Sequence, residues 1–194
     1  NKAEIVVIGG GIIGSAITYF LTNEGLNVVL VEKDDFCAGS SGATHCQIGM
    51  HNRFPGWELD LSFKSIEILK NLAERYPFEY DETGSLLLID NPSKIEWMEN
   101  RRKEQLLAGI KSSFLTREDL NKREPFLSQN VISAMFYPQS IRINSMLLCR
   151  ALLSAARKNG AEINLHTLVQ DIIVKNGKIQ QVKTSNGDIF TNWV

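Results

Sequence analysis

The sequence predicts an α/β fold that opens on a parallel β-α-β unit, and three observations predict it. A β-branched run, Glu4–Ile8, stops abruptly at Gly9-Gly10-Gly11. An apolar helical pattern, Ile12–Asn23, comes next, and Gly25 ends it. A second apolar run, Asn27–Val31, completes the unit. Short continuous apolar runs bounded by turn residues mark strands buried on both faces. Two such strands joined through a helix lie parallel, with a right-handed crossover.

Each later element follows from its own pattern. On the first helix Ile13, Ile17 and Phe20 or Leu21 share a face. Trp57–Tyr76 reads as a long amphipathic helix, with Leu59, Phe63, Ile66, Leu69, Leu72 or Ala73, and Tyr76 at helical spacing. Phe78–Asp81 and Ser85–Ile89 flank Glu82-Thr83-Gly84, a hairpin signal. Ser93-Lys94-Ile95-Glu96 has the form of a capping box opening a polar helix that Gly109 closes. Thr116-Arg117-Glu118-Asp119 is a second, weaker box, and its helix stops at Pro125. Val131–Tyr137 reads as a strand. Ser145–Lys158 reads as a helix with Asn144 as its cap, followed by a strand at Glu162–His166. Val169–Lys175, Lys178–Thr184 and Asp188–Thr191 then form an antiparallel meander, turned by Asn176-Gly177 and Ser185-Asn186-Gly187. Asn192-Trp193-Val194 reads as the start of one more strand, so the expectation is a piece of a longer chain.

Composition excludes several classes. The 194 residues suffice for one core, or one core and a small appended layer. With 21 basic and 22 acidic residues, the net charge of −1 gives no electrostatic reason to expect nucleic acid or an anionic membrane as partner. No apolar run is long enough for an integral membrane segment, and the first run is broken too early by glycines for a signal peptide. Cys37, Cys46 and Cys149 form no CxxC and cannot all pair, which fits a reducing, cytoplasmic setting. Three histidines without a ligand-spaced cluster predict no metal site.

Gly9-x-Gly11-x-x-Gly14 lies between strand and helix, where each glycine has a task. The first allows the tight turn, the second admits a pyrophosphate to the backbone, and the third lets helix and strand pack closely. Phosphates are then favoured by the free N–H groups and dipole of the helix N-terminus. Glu32 falls at the tip of the second strand, where a carboxylate accepts hydrogen bonds from both ribose hydroxyls and disfavours a 2′-phosphate. These residues predict a dinucleotide and leave FAD and NAD both open. The loop Gly39-Ser40-Ser41-Gly42-Ala43-Thr44-His45-Cys46-Gln47 favours FAD, because a flavin needs enclosure along its length by small residues and hydroxyls.

Together these stretches resemble the FAD-dependent amine and amino-acid oxidoreductases of the D-amino acid oxidase-like family, in particular its glycine oxidase and sarcosine oxidase branch. The resemblance rests on Ile8-Gly9-Gly10-Gly11-Ile12-Ile13-Gly14-Ser15, Glu32, Gly39-Ser40-Ser41 and Tyr80-Asp81-Glu82-Thr83-Gly84-Ser85-Leu86. It continues through Arg123-Glu124-Pro125, Gly160-Ala161-Glu162-Ile163, His166-Thr167-Leu168-Val169 and Ser185-Asn186-Gly187, and so runs along the whole chain. It implies an α/β fold: a Rossmann-like FAD-binding domain, residues 1–75 and 140–194, with a three-stranded antiparallel meander and an inserted partial α+β substrate domain at 76–139.

The resemblance also implies roles. Ile12 and Ile13 meet the diphosphate through their backbone, Glu32 binds the ribose with Lys33 beside it, and Ser40 and Ser41 contact the phosphate or ribityl region. His45, Cys46 and Gln47 lie along the flavin ring, and the main chain of Val169 holds the adenine. His45 is either a covalent flavin attachment point or a packing and hydrogen-bonding side chain, the commoner use of histidine. Cys46 either tunes the ring or fills space, and Cys149 is core. His51, Asn52 and Arg53 either reach substrate or form a solvated loop, the commoner case, and Arg101-Arg102 reads as a polar helix face with no need of a partner.

The implied activity is hydride transfer from the carbon beside an amine nitrogen to FAD, on a glycine-, sarcosine-, proline- or D-amino-acid-like substrate. An FAD-dependent hydroxyacid or glycerol-phosphate dehydrogenase on the same scaffold, and a non-catalytic dinucleotide-binding module, are the alternatives. No residue present is assigned as a catalytic acid or base. Family members normally continue past the strand begun at Trp193 into a second half that supplies the arginine clamping the substrate carboxylate. His45-Cys46 also departs from the small or arginine-containing residues usual there. The fragment alone is therefore expected to be inactive. Its open sheet edge admits a second copy, which makes a homo-oligomer one expectation.

Overall fold

The computed structural model describes residues 1–194 and divides them into two compact units, residues 1–45 with 144–194, and residues 46–143. In the first unit Ile5–Ile8 (β1), Ile12–Asn23 (α1) and Val28–Val31 (β2) form the β-α-β. β1 and β2 are parallel, with Ile5 opposite Val28 and Ile8 opposite Val31. All of β2 is buried, which explains its unbroken apolar sequence. On helix α1 the isoleucine face is the exposed one. Ile13, Ile17 and Phe20 are 74%, 43% and 46% exposed, while Ser15, Thr18, Tyr19 and Thr22 face inward. Thr18 and Thr22 satisfy their hydroxyls on the carbonyls of Gly14 and Thr18, both at 2.8 Å, so small polar residues are buried at little penalty.

Residues 46–143 carry Gln47–Ile48 (β3), Trp57–Ala73 (α2), Tyr80–Asp81 (β4), Ser85–Ile89 (β5) and Lys94–Leu107 (α3). Ser113–Thr116 (β6), Arg117–Arg123 (α4), Ser133–Tyr137 (β7) and Ile141–Ile143 (β8) follow. The expected hairpin at 78–89 does not form. β4 pairs with β8 in a sheet ordered β3-β8-β4, and β5 pairs with β7 in a sheet ordered β5-β7-β6. Gly84 makes the crossing between the sheets possible. Its φ is +70°, and a Cβ there would sit 2.4 Å from the Phe136 ring. The box expected at Ser93 is also absent; Asn91 Oδ1 instead accepts from the Ser93 N–H at 3.0 Å, an Asx turn. At Thr116 the box is present, with Asp119 as its partner.

The core of this unit gathers Met50, Leu59, Ile89, Met98, Ile110, Met135 and Tyr137. Met50 and Leu59 belong to it, and residues 46–75 fall within this compact unit. Leu59 of α2 belongs to this cluster with Ile89, Met98 and Ile110, and Phe63 and Ile66 pack against it.

The chain returns to the first unit with Ser145–Lys158 (α5), capped by Asn144 Oδ1 accepting from the Leu147 N–H at 3.2 Å. Glu162–Asn164 (β9) extends the parallel sheet to β1-β2-β9. Val169–Lys175 (β10), Lys178–Thr184 (β11) and Ile189–Phe190 (β12) are antiparallel in that order. Ala3, Val6, Val29 and Val31 of the N-terminal segment pack with Val182 and Ile189. No helix is long and apolar enough to cross a membrane.

Candidate functional site

The site lies at the C-terminal ends of β1 and β2, where open parallel sheets bind their ligands. Gly9 has φ +107° and closes the turn by donating its N–H to the Val31 carbonyl at 2.8 Å. A Cβ on Gly14 would lie 1.9 Å from the Gly9 carbonyl oxygen, so the turn and the first coil of α1 can meet only without a side chain there. Gly11, the residue before α1, contributes no side-chain cap. Ser41 supplies one from the loop, its Oγ accepting from the Ile12 N–H at 3.0 Å.

Glu32 is held at the mouth of the turn by two backbone donors. Its Oε2 accepts from the Gly10 N–H at 2.6 Å, and its Oε1 from the Asp34 N–H at 2.8 Å. A Cβ on Gly10 would approach Glu32 Cγ to 3.1 Å, so the absence of a side chain at Gly10 lets the carboxylate fold over the turn. Each carboxylate oxygen accepts up to two hydrogen bonds, so one site per oxygen remains for a pair of ribose hydroxyls. Half-buried Glu32, the α1 terminus and the small-residue loop thus fit the adenosine diphosphate part of a dinucleotide.

A cleft of about 730 Å³ brings together Gly9, Gly11, Ile12, Ile13, Gly14, Glu32, Ser40 and Ser41. Ile8, Ile17, Trp193 and Val194 also line it; sequence reasoning assigned them nothing, and an apolar wall carries no motif. Lys33 and Val169 line an adjoining recess of about 220 Å³ that shares Ile8, Gly9 and Glu32 with the cleft. Lys33 is ion-paired with Asp34, and that hydrogen bond and charge raise its ammonium above the ordinary lysine range. His45, Cys46 and Gln47 are not in either lining. His45 is exposed in the loop, while Cys46 and Gln47 begin the second unit, with Gln47 opposite Arg142 in β3–β8.

All three thiols are free. Burial, and then a hydrogen bond with Cys37, pushes the Cys149 thiol up to about 12, which keeps it protonated and unreactive. In the second unit His51 and Arg53 differ from the expected solvated loop. The His51 carbonyl accepts from Arg101 Nη2 at 2.7 Å and from Gln105 Nε2 at 3.3 Å. Gln105 Nε2 also donates to the Arg53 carbonyl at 2.9 Å. Arg101 is therefore partnered: its guanidinium also lies over the rings of Phe54 and Trp97, at 4.2 and 5.4 Å.

Residues 4–194 match the family described as DAO, FAD dependent oxidoreductase. The chain belongs to this family. It is 29% identical over 200 residues to glycine oxidase of Bacillus subtilis (strain 168), covering 98% of this chain and 52% of that enzyme. The crystal structure of glycine oxidase from Bacillus cereus ATCC 14579 superposes with a TM-score of 0.90 at 30% identity, over 98% of this chain and 53% of that one. L-proline dehydrogenase from P. horikoshii gives a TM-score of 0.90 at 28% identity, over 99% and 51%. The chain thus spans about half the length of these relatives. The cofactor of this family is FAD.

Proposed function

We propose that the full-length protein oxidises the carbon–nitrogen bond of a small amine or amino acid of the glycine, sarcosine, proline or D-amino-acid kind. The observation that carries this reading is a glycine turn with Glu32 fixed at its mouth, in a chain similar from end to end to glycine oxidase and L-proline dehydrogenase. FAD supplies the acceptor for a hydride leaving the carbon beside the nitrogen. Gly9, Gly11 and Gly14 keep the cradle open. Ile12 and Ile13 meet the diphosphate through their backbone, and Ser41, whose Oγ accepts from the Ile12 N–H, donates its own O–H to the phosphate with Ser40 beside it. Glu32 takes the ribose hydroxyls with Lys33 alongside, and the Val169 main chain takes the adenine. His45, Cys46 and Gln47 run toward the flavin ring, with His45 as a non-covalent neighbour.

In this reading residues 1–45 and 144–194 are the FAD-binding domain, and residues 46–143 contribute to the substrate side. The partner is a small molecule, and a homo-oligomer would cover the open sheet edge. Three free thiols support a reducing, cytoplasmic setting.

The test is the absorption spectrum of the full-length protein before and after acid precipitation, followed by anaerobic addition of glycine, sarcosine, proline and D-alanine. The expected outcome is a yellow protein whose flavin goes to the supernatant and whose colour bleaches with at least one of these amines. A colourless protein, or bleaching by glycerol phosphate or a hydroxyacid alone, overturns the reading. Glu32→Gln should weaken FAD binding about tenfold or more, since it exchanges charge-assisted acceptance for a neutral amide.

A further inference from the structure

The diphosphate cradle is tied to a residue far away in sequence, through four hydrogen bonds that close a ring. The Cys37 N–H donates to the Gly10 carbonyl at 3.0 Å. Cys37 Sγ lies 3.9 Å from the Ser145 carbonyl, which accepts its thiol proton. Ser145 Oγ donates to the Ser41 carbonyl at 2.6 Å. Ser41 Oγ accepts from the Ile12 N–H at 3.0 Å, which returns the ring to the glycine turn.

Ser145 is 6% exposed and is the first residue of α5. Its hydroxyl is not needed to start that helix, because Asn144 already caps it through the Leu147 N–H. Within the loop, the Gly42 and Ala43 N–H groups donate to the Gly39 and Ser40 carbonyls at 3.0 and 3.3 Å. Gly39, Ser40, Gly42, Ala43 and Thr44 are exposed. The short bond from Ser145 to the Ser41 carbonyl holds the loop where the Ser41 hydroxyl accepts from the Ile12 N–H, which leaves its own O–H proton to donate to an incoming phosphate.

We propose that Ser145 is a positioning residue for FAD: it acts through Ser41 to hold the phosphate-facing loop against the start of α1. This inference rests on the site reading above and adds a residue that neither the glycine pattern nor the loop composition contains. Ser145 touches no cofactor atom in this account. It sets the pre-organisation of a group that does, so its loss is felt as affinity, not as chemistry.

The test uses apo-protein prepared from the full-length chain, titrated with FAD and followed by flavin fluorescence quenching, with melting of the apo form as control. Ser145→Ala should raise the FAD Kd about fivefold, the scale of one neutral hydrogen bond. Ser145→Thr, which keeps the hydroxyl, should return most of that loss. Ser41→Ala and the double variant Ser41→Ala/Ser145→Ala should share one Kd, because the second residue acts only through the first. If Ser145→Ala does not fold, Ser145→Cys fills the same space with a poor donor and should show the same fivefold shift. Unchanged Kd in the folded Ser145 variant, or additive losses in the double variant, overturns the inference alone. A wild-type protein that takes up no FAD overturns the site reading and this inference with it.

Discussion

Helices α1 and α5 pack against each other in the same unit, yet they are built on opposite plans. Helix α5 turns Leu148, Cys149, Leu152, Leu153, Ala155 and Ala156 inward and keeps Arg150, Ser154, Arg157 and Lys158 outside. Helix α1 turns Ser15, Thr18, Tyr19 and Thr22 inward and leaves Ile13, Ile17 and Phe20 outside. A periodic apolar stripe therefore marks the core face of one helix and the cleft wall of its neighbour, since Ile13 and Ile17 line the site. Helix α1 must approach its neighbours and the glycine turn closely, and small residues, with the Thr18 and Thr22 hydroxyls bonded to backbone carbonyls, allow that approach where isoleucine does not.

Changes that erase the difference should hurt in a fixed order. The largest effect belongs to Gly14→Ala, which places a methyl 1.9 Å from the Gly9 carbonyl at the closest approach of α1. It should remove detectable FAD binding and lower unfolding free energy by about 3 kcal/mol, measured by flavin titration and urea unfolding. Leu152→Ala in α5 comes next. With Leu152 only 2% exposed, a loss of about 2–4 kcal/mol is expected in urea, with the FAD Kd changed less than stability implies.

The Cys149 thiol gives the comparison a pH dependence. Its folded pKa is raised from 9.0 to about 12, so the folded state holds the proton more tightly than the unfolded chain. The contribution is whole below pH 9 and is lost as the pH climbs toward 12. Chemical unfolding across that alkaline range should show stability falling as the pH rises. Cys149→Ala should make the fall shallower, with Tyr80 and Tyr137, whose phenols burial also raises, keeping part of it. The smallest effect belongs to Ile17→Ser on the exposed stripe of α1, where unfolding free energy should change by less than about 0.5 kcal/mol. A loss as large as that of Leu152→Ala would show that the stripe is buried in solution.

Much of the first unit was legible because its signals are local. The strand–turn–helix–strand run, Glu32 at the tip of β2, the Asn144 cap and the Asn176-Gly177 turn each depend on neighbours within a few residues. The second unit was less legible. Glu82-Thr83-Gly84 carries hairpin chemistry, yet β4 and β5 take partners more than forty residues away, in β8 and β7. Ser113–Thr116, which carries no strand signal of its own, pairs as β6 along β7 and ends at the Thr116 that caps α4. Asn91 took over the start of α3 from Ser93, as two adjacent polar residues compete for the same backbone donors. Gly10, Cys37 and Ser145 escaped notice at the site for a related reason: each acts through a backbone group of a distant residue, which no spacing rule records.

The sequence by itself determined the parallel β-α-β, the place of its glycines and the acid that faces the cleft. Backbone sterics and strand-end geometry act over a few residues and need no partner. Tertiary structure decided which face of α1 is buried, which strands pair in residues 46–143, and which distant hydroxyl steadies the Ser41 loop. Those choices depend on surfaces brought together only when the chain closes, and their energies exist only between elements already in place.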